Sequence, residues 1–166
     1  MDPSHETIAE ALALLGERQP SAPAVHAPNR TTLTYGDLGA QLRYVGDRLA
    51  NFGIRRGEIV CAALSSRPEL IVAIATLPAS CTFAPVDPSL SAESCFALLI
   101  RMKARAILVS RGDAHPLRSA ARRIGVAVIE LTPRIDAPAG LFTSISNAAR
   151  RCGQPTPESI PPWLTC

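Results

Sequence analysis

The sequence predicts an α/β fold: an open, mostly parallel sheet with helices on both faces. Three observations predict it. Four apolar runs of strand length recur along the chain, at Ile59–Leu64, Thr82–Val86, Ala106–Val109 and Val126–Leu131. They are unbroken rather than alternating, as expected of strands covered on both sides. The stretches between them carry helical spacing and helix start signals, so strand and helix alternate, and a strand that returns parallel to its neighbour needs such a crossover, almost always right-handed.

Taken in order, Thr7 to Gly16 reads as an amphipathic helix with Ile8, Leu12 and Leu15 on one face and Gly16 as its stop. Ala24-Val25-His26 and Thr32-Leu33-Thr34 flank the turn composition Pro28-Asn29-Arg30 and suggest a small hairpin, in which His26 is a strand residue with a local partner. Thr34 is the expected cap of the next helix, with Asp37 three residues on as a capping-box variant. Leu38, Leu42, Val45, Leu49 and Phe52 share one face of it, Gly53 ends it, and Gly39 and Gly46 mark close packing against a neighbour.

After the strand at Ile59–Leu64, Pro68 sits where proline suits the first turn of a helix. Leu70, Ile71, Ile74 and Leu77 follow at helical spacing, and Pro78, with no donor and a clash four residues back, ends or kinks it near Leu77. Asp87-Pro88-Ser89 turns the chain out of the second strand. Ser91 caps a helix from Ala92 to about Lys103 with Phe96, Leu99 and Ile100 inward, and Pro116 to Ile124 is the last helix of the pattern. The expected division is a domain over 1–132 and a Pro-rich tail over 133–166, read as linker or disorder apart from a short helix around Ile145 to Arg151.

Composition narrows the function. A chain of 166 residues fits one domain. Lys103 is the only lysine, and the arginines are scattered, with no dense basic stripe interleaved with aromatics, so no nucleic-acid partner is expected. The five cysteines, Cys61, Cys81, Cys95, Cys152 and Cys166, form no CxxC pair and have no nearby histidines; metal binding is not expected, and Cys61 and Cys81 read as small apolar strand residues. The polar, acidic start is unlike a signal peptide, and Leu70 to Val86, cut by Pro78 and Pro85, is too short to span a bilayer. A reducing, cytoplasmic setting with no membrane contact is the expectation.

The order of motifs resembles the N-terminal part of the adenylate-forming ligases, which include acyl-CoA and aryl-CoA synthetases and peptide-synthetase adenylation domains. Leu33-Thr34-Tyr35-Gly36-Asp37-Leu38 resembles the family's LTYxEL helix start. Gly53 to Val60 is similar to its GVxxGDxV turn into a strand, and Pro68-Glu69-Leu70 to its PE(L/F) helix start. Leu77 to Pro88 resembles its LxAGAxxVPLDP segment, with Ser80 where glycine is common and Pro78 as a break in a helix that usually runs on. The likeness covers Glu6 to Leu131, about three quarters of the chain. It implies that the sheet is part of the first subdomain of such a ligase and that the full-length activity is ATP-dependent carboxylate adenylation, with ATP, Mg²⁺ and in some members CoA as cofactors.

The matched motifs build scaffold. The family's phosphate-gripping loop, the acidic motifs that hold ribose and metal, and the C-terminal catalytic lysine have no counterpart in the matched stretch. Lys103 is followed by Ala104-Arg105, unlike a phosphate-loop lysine, which acts beside backbone N–H groups. No G-x-G-x-x-G follows a strand and no G-x-S-x-G elbow occurs. His5, His26 and His115 lie far apart in sequence with no evident nucleophile. Asp87, at the end of a strand, raises a phospho-acceptor reading, which the following Pro88 and the missing paired acids oppose. The expectation is a truncated homologue with no catalytic, cofactor-binding or metal residues of its own, inactive alone. The alternative is a binding module that docks on a protein partner, such as a full-length ligase, through exposed subdomain surface.

Overall fold

A computed structural model describes residues 7–65 and 67–146. Helix α1 (Ile8–Arg18) is started by a full capping box, in which Thr7 accepts from the Glu10 amide and the Glu10 carboxylate accepts from the Thr7 amide at 2.8 Å. It runs two residues past the expected stop at Gly16. That glycine serves close packing instead: a Cβ there would lie 3.0 Å from the Tyr35 carbonyl and 3.7 Å from the Gly39 Cα, so the pair of glycines lets α1 lie against α2. Ile8, expected inward, is 67% exposed.

Strands β1 (Pro23–Val25) and β2 (Leu33–Thr34) form the antiparallel hairpin read from the turn residues, and Asn29 takes the left-handed conformation that asparagine tolerates, φ 57°. Helix α2 (Tyr35–Asn51) is capped as expected by Thr34 and Asp37 and buries Leu38, Val45 and Leu49. Its Gly46 faces Ser80, whose Oγ would be 3.3 Å from an added Cβ. The chain leaves α2 through Gly53 at φ +71°.

The five-stranded sheet has the order β4-β3-β5-β6-β7, with β3 (Ile59–Ala63), β4 (Thr82–Pro85), β5 (Ala106–Ser110) and β6 (Ala127–Pro133) parallel and β7 (Phe142–Ser146) antiparallel at the edge. The pleat divides the apolar runs between two cores. Val60, Ala62, Leu108, Ile129 and Leu131 face α2, α3 and the hairpin, whereas Cys61, Ala63, Ile107, Val109 and Val128 face α4 and α5. This is why the runs in β3 and β5 read as continuous: nearly every residue there is buried on one side or the other, whereas the edge strand β4 is only partly covered.

Helix α3 (Arg67–Thr76) gives way to a 3₁₀ turn at Leu77–Ala79, so Pro78 does end the α-helix. Glu69, Val72, Ala73, Thr76 and Leu77 are buried, and Ile71 and Ile74 stand 50% and 47% exposed. The helix is apolar nearly all round, so spacing alone could not orient it; the partners of Glu69 and the fit of small Ala73 do. Helix α4 (Ala92–Arg101) is capped by Ser91 and ends two residues earlier than expected, with Lys103 in a left-handed turn at φ 50°. Helix α5 (Pro116–Arg123) is capped by His115.

The sheet continues where the sequence pattern was expected to stop at Thr132. Strand β6 extends through Pro133, residues 134–141 form a strap, and β7 returns with Pro133 opposite Phe142 and Ile129 opposite Ser146. Pro133 ends a strand and Pro138 lies in the strap, so these prolines punctuate structure. Ile145, expected in a helix, lies in β7, and the rest of that expected helix and of the tail falls outside the described residues. Among the described residues no helix is long and apolar enough to cross a membrane.

Candidate functional site

In an open α/β sheet the winding direction marks the crevice. Crossover α3 carries β3 to β4 over one face, and α4 and α5 carry β4 to β5 and β5 to β6 over the other, so the direction reverses between β3 and β5. Ligands in such sheets bind at this switch point, beyond the carboxyl ends of the strands. Here the two sides meet through Ser65, just after β3, and Ser110, the last residue of β5, with Oγ atoms 3.5 Å apart. Neither serine was singled out by sequence, because serine after a strand is common turn chemistry and their adjacency depends on the strand order.

Arg118, His115 and Asp87 are engaged in holding the walls of this crevice. Arg118 donates from Nη2 to the Ser110 carbonyl at 3.1 Å and from Nε to the Asp113 carbonyl at 3.1 Å, and its Nη1 pairs with Glu130 on β6. This fastens the β5–α5 loop to the neighbouring strand. His115 accepts the Leu117 amide at Nδ1 over 3.0 Å, which leaves the proton on Nε2 to be donated to the Pro88 carbonyl at 3.2 Å. The ring thus bridges the turn after β4 and the start of α5. Asp87 accepts both the amide and the hydroxyl of Ser89 at one oxygen, 2.8 and 2.7 Å away. Those bonds, the hydroxyl's first, hold its carboxyl below the usual carboxylate range and account for it as a turn residue.

The remaining candidates are dispersed. His26 bonds through Nδ1 to Thr32 Oγ1 at 2.8 Å, the local partner expected in the hairpin. His5 lies outside the described residues. Lys103 precedes β5 and so sits at the amino ends of the strands, opposite the crevice. Cys61, Cys81 and Cys95 are free and buried, and burial pushes the first two thiols up to about 11, so they stay protonated and unreactive near neutrality. Among the described residues no group of three or more His, Cys, Asp or Glu gathers in metal-binding geometry.

A second polar assembly lies where the hairpin meets α3. Arg30 donates from Nη2 to the carbonyls of Arg134, Ala137 and Pro138 at 2.7, 3.2 and 3.3 Å, and its Nη1 is 3.6 Å from Glu69 Oε1 in the first turn of α3. Glu69 was read only as part of a helix start; its partner lies 39 residues upstream by numbering, a separation with no sequence signal.

The arrangement, a sheet of four parallel strands with one antiparallel edge strand, matches the N-terminal subdomain of adenylate-forming ligases. The chain itself belongs to the AMP-binding enzyme family, whose model matches residues 13–163. Nonribosomal peptide synthetase 8 of Aspergillus fumigatus is 28% identical over 156 residues, 93% of this chain and 2% of that protein. Phosphinothricin tripeptide synthetase PhsB of Streptomyces viridochromogenes is 30% identical over 107 residues, 64% of this chain and 9% of that protein. The crystal structure of a benzoate CoA ligase from Burkholderia xenovorans superposes with a TM-score of 0.66 at 19% identity, over 82% of this chain and 27% of that one. The chain therefore spans a small part of the length of each relative.

Proposed function

We propose that this chain is the first structural part of an adenylate-forming ligase, of the acyl-CoA synthetase and peptide-synthetase kind, and that by itself it does not adenylate a carboxylate. One observation carries the reading: Arg118 and His115, beside the switch point, are bonded into the fold, and Lys103 lies at the far end of the sheet. Adenylation needs a carboxylate and the α-phosphate of ATP held together while developing charge is stabilised. Two serine hydroxyls alone, such as those of Ser65 and Ser110, do not hold a magnesium triphosphate. The peptide synthetases among its sequence relatives favour an amino acid as the substrate class of the whole enzyme. The free buried thiols favour a reducing, cytoplasmic setting.

The test is pyrophosphate exchange into ATP by the purified chain with Mg²⁺ and a panel of amino, aryl and fatty acids. No exchange above a buffer blank is expected, and saturable exchange with any acid refutes the inactive reading. A second reading, a module that docks on a protein partner, is favoured by the outer stripe Arg67, Ile71 and Ile74 of α3 with Pro78 of the 3₁₀ turn after it, exposed and apolar beyond its first residue. Light scattering that finds a monomer at every concentration, together with no co-purifying ligase, counts against it.

A further inference from the structure

Strand β7 is joined to the parallel sheet along one edge only, and its route there passes under Arg30. The guanidinium gathers three carbonyls of the 134–141 strap, at Arg134, Ala137 and Pro138. The backbone of the same hairpin adds a bond, with the Ala139 amide donating to the Thr31 carbonyl at 2.8 Å. Glu69, 1% exposed, holds the other side of the guanidinium from the start of α3. Below the strap, Gly140 at φ +83° lies so close to α3 that a Cβ would fall 2.6 Å from the Pro68 carbonyl. Gln41 of α2 then donates from Nε2 to the Phe142 carbonyl at 3.0 Å, at the first residue of β7.

Apart from the Arg30–Glu69 pair, these contacts run from one hairpin and two helices in the first half of the chain to residues 134–142. The strap and the start of β7 also form one wall of a cleft of about 300 Å³, through Arg134, Leu141, Phe142 and Thr143; the facing wall is α2, through Asp37, Ala40, Gln41 and Tyr44.

We infer that Arg30 is the latch of a separable outer unit: the 134–141 strap and β7 open together, taking away one wall of the α2 cleft, while the four parallel strands stay folded. The physical basis is the asymmetry of support. Each interior strand, β3, β5 and β6, is bonded on two edges, and β3 and β5 are packed into both cores, whereas β7 has one ladder, enters one core only, through Phe142, and is otherwise held by polar ties of which Arg30 makes three, beside Gln41 and the Ala139–Thr31 backbone bond. Cooperative units that open below the global transition are drawn from segments with such sparse support.

Hydrogen exchange on the full chain tests this. In the unmodified protein under rising sub-denaturing urea, the amides of Ala139, Leu141 and β7 should merge onto one opening curve, distinct from and below that of Cys61 and Ile107. Replacing Arg30 by Met should speed exchange of that group about ten- to a hundredfold, the range expected on losing hydrogen bonds to a charged donor, with the β3 and β5 amides changed less than about threefold. Arg30→Lys, which keeps the charge beside Glu69 but loses the fork, should fall between the two and serves if the Met variant does not fold. A strap that exchanges only with the global transition in the unmodified chain, or Arg30 variants that speed strap and core equally, would overturn the inference. It stands or falls without reference to adenylation, so a positive pyrophosphate exchange would leave it untouched.

Discussion

Replacing Gly140 by Ala tests the contact that seats the strap on α3. An added Cβ would fall 2.5 Å from Val72 Cγ2 and 2.6 Å from the Pro68 carbonyl oxygen, at φ +83°. Two costs combine. An L side chain in the left-handed region costs about 1–2 kcal/mol, and forcing a methyl into a packed site typically costs about 1–3 kcal/mol more. The Val72 methyl can shift, but the Pro68 carbonyl belongs to the backbone of the first turn of α3 and cannot move without carrying Glu69 with it. The sum, about 2–5 kcal/mol, is a large share of the roughly 5–15 kcal/mol that holds a domain together, and corresponds to a fall in Tm of about 10 °C near the middle of the range. Gly57→Ala supplies the internal control. Gly57 sits at φ +87° with nothing within 4 Å of the added Cβ, so it carries the conformational cost and no clash. Urea unfolding of both variants, followed by far-ultraviolet circular dichroism, should therefore separate them by about 1–3 kcal/mol. Equal destabilisation would show that the strap yields and that its close approach to α3 has been misread.

Arg118→Met should cost about 3–5 kcal/mol, because it leaves the carboxylate of Glu130, 11% exposed at its side chain, without the charge that compensates its burial. Adding Glu130→Gln should recover part of that loss in the same urea measurement, and a single-variant cost below about 1 kcal/mol would place the pair in the weak class of surface bridges. The cysteines set an alkaline limit. Burial raises Cys61 and Cys81 from 9.0 to about 11, so between those values the unfolded chain loses protons that the folded chain keeps. Stability should be unaffected below pH about 9 and fall as pH rises towards 11, and Cys61→Ala with Cys81→Ala should flatten that fall in urea midpoints taken across the range.

The parallel core and its helix caps were legible in the sequence because their causes are local. A continuous run such as Ala106–Val109 records burial on two faces without reference to any other residue, and Thr34 with Asp37 specifies a helix start within four positions. The same locality explains the errors. Gly16 has the composition of a stop but is required by the approach of Tyr35 and Gly39. In α3 every turn offers apolar residues, so the inward choice of Val72 and Ala73 over Ile71 and Ile74 was not encoded by spacing. Pro133 and Pro138 suggested a linker because proline is read as punctuation; here it punctuates an edge strand, whose reversed direction leaves no βαβ signature.

What was least legible is what now matters most for function. Ser65 and Ser110 meet only because β3 and β5 are neighbours across a reversal of winding, and Arg30 reaches Glu69 and the strap only because the hairpin, α3 and β7 share one corner of the fold. Both are consequences of strand order, which motif likeness implies but residue types do not state. The two assemblies also differ in kind. At the crevice the strong hydrogen-bonding groups, Arg118 and His115, bond to backbone carbonyls and an amide of adjacent loops, which preserves the shape of the strand ends. At the corner, one guanidinium bonds to a segment over a hundred positions away by numbering, which makes the placement of β7 conditional on the hairpin having folded. A first subdomain organised this way has a firm parallel core and an outer strand whose position is set by long-range ties, most of them from Arg30.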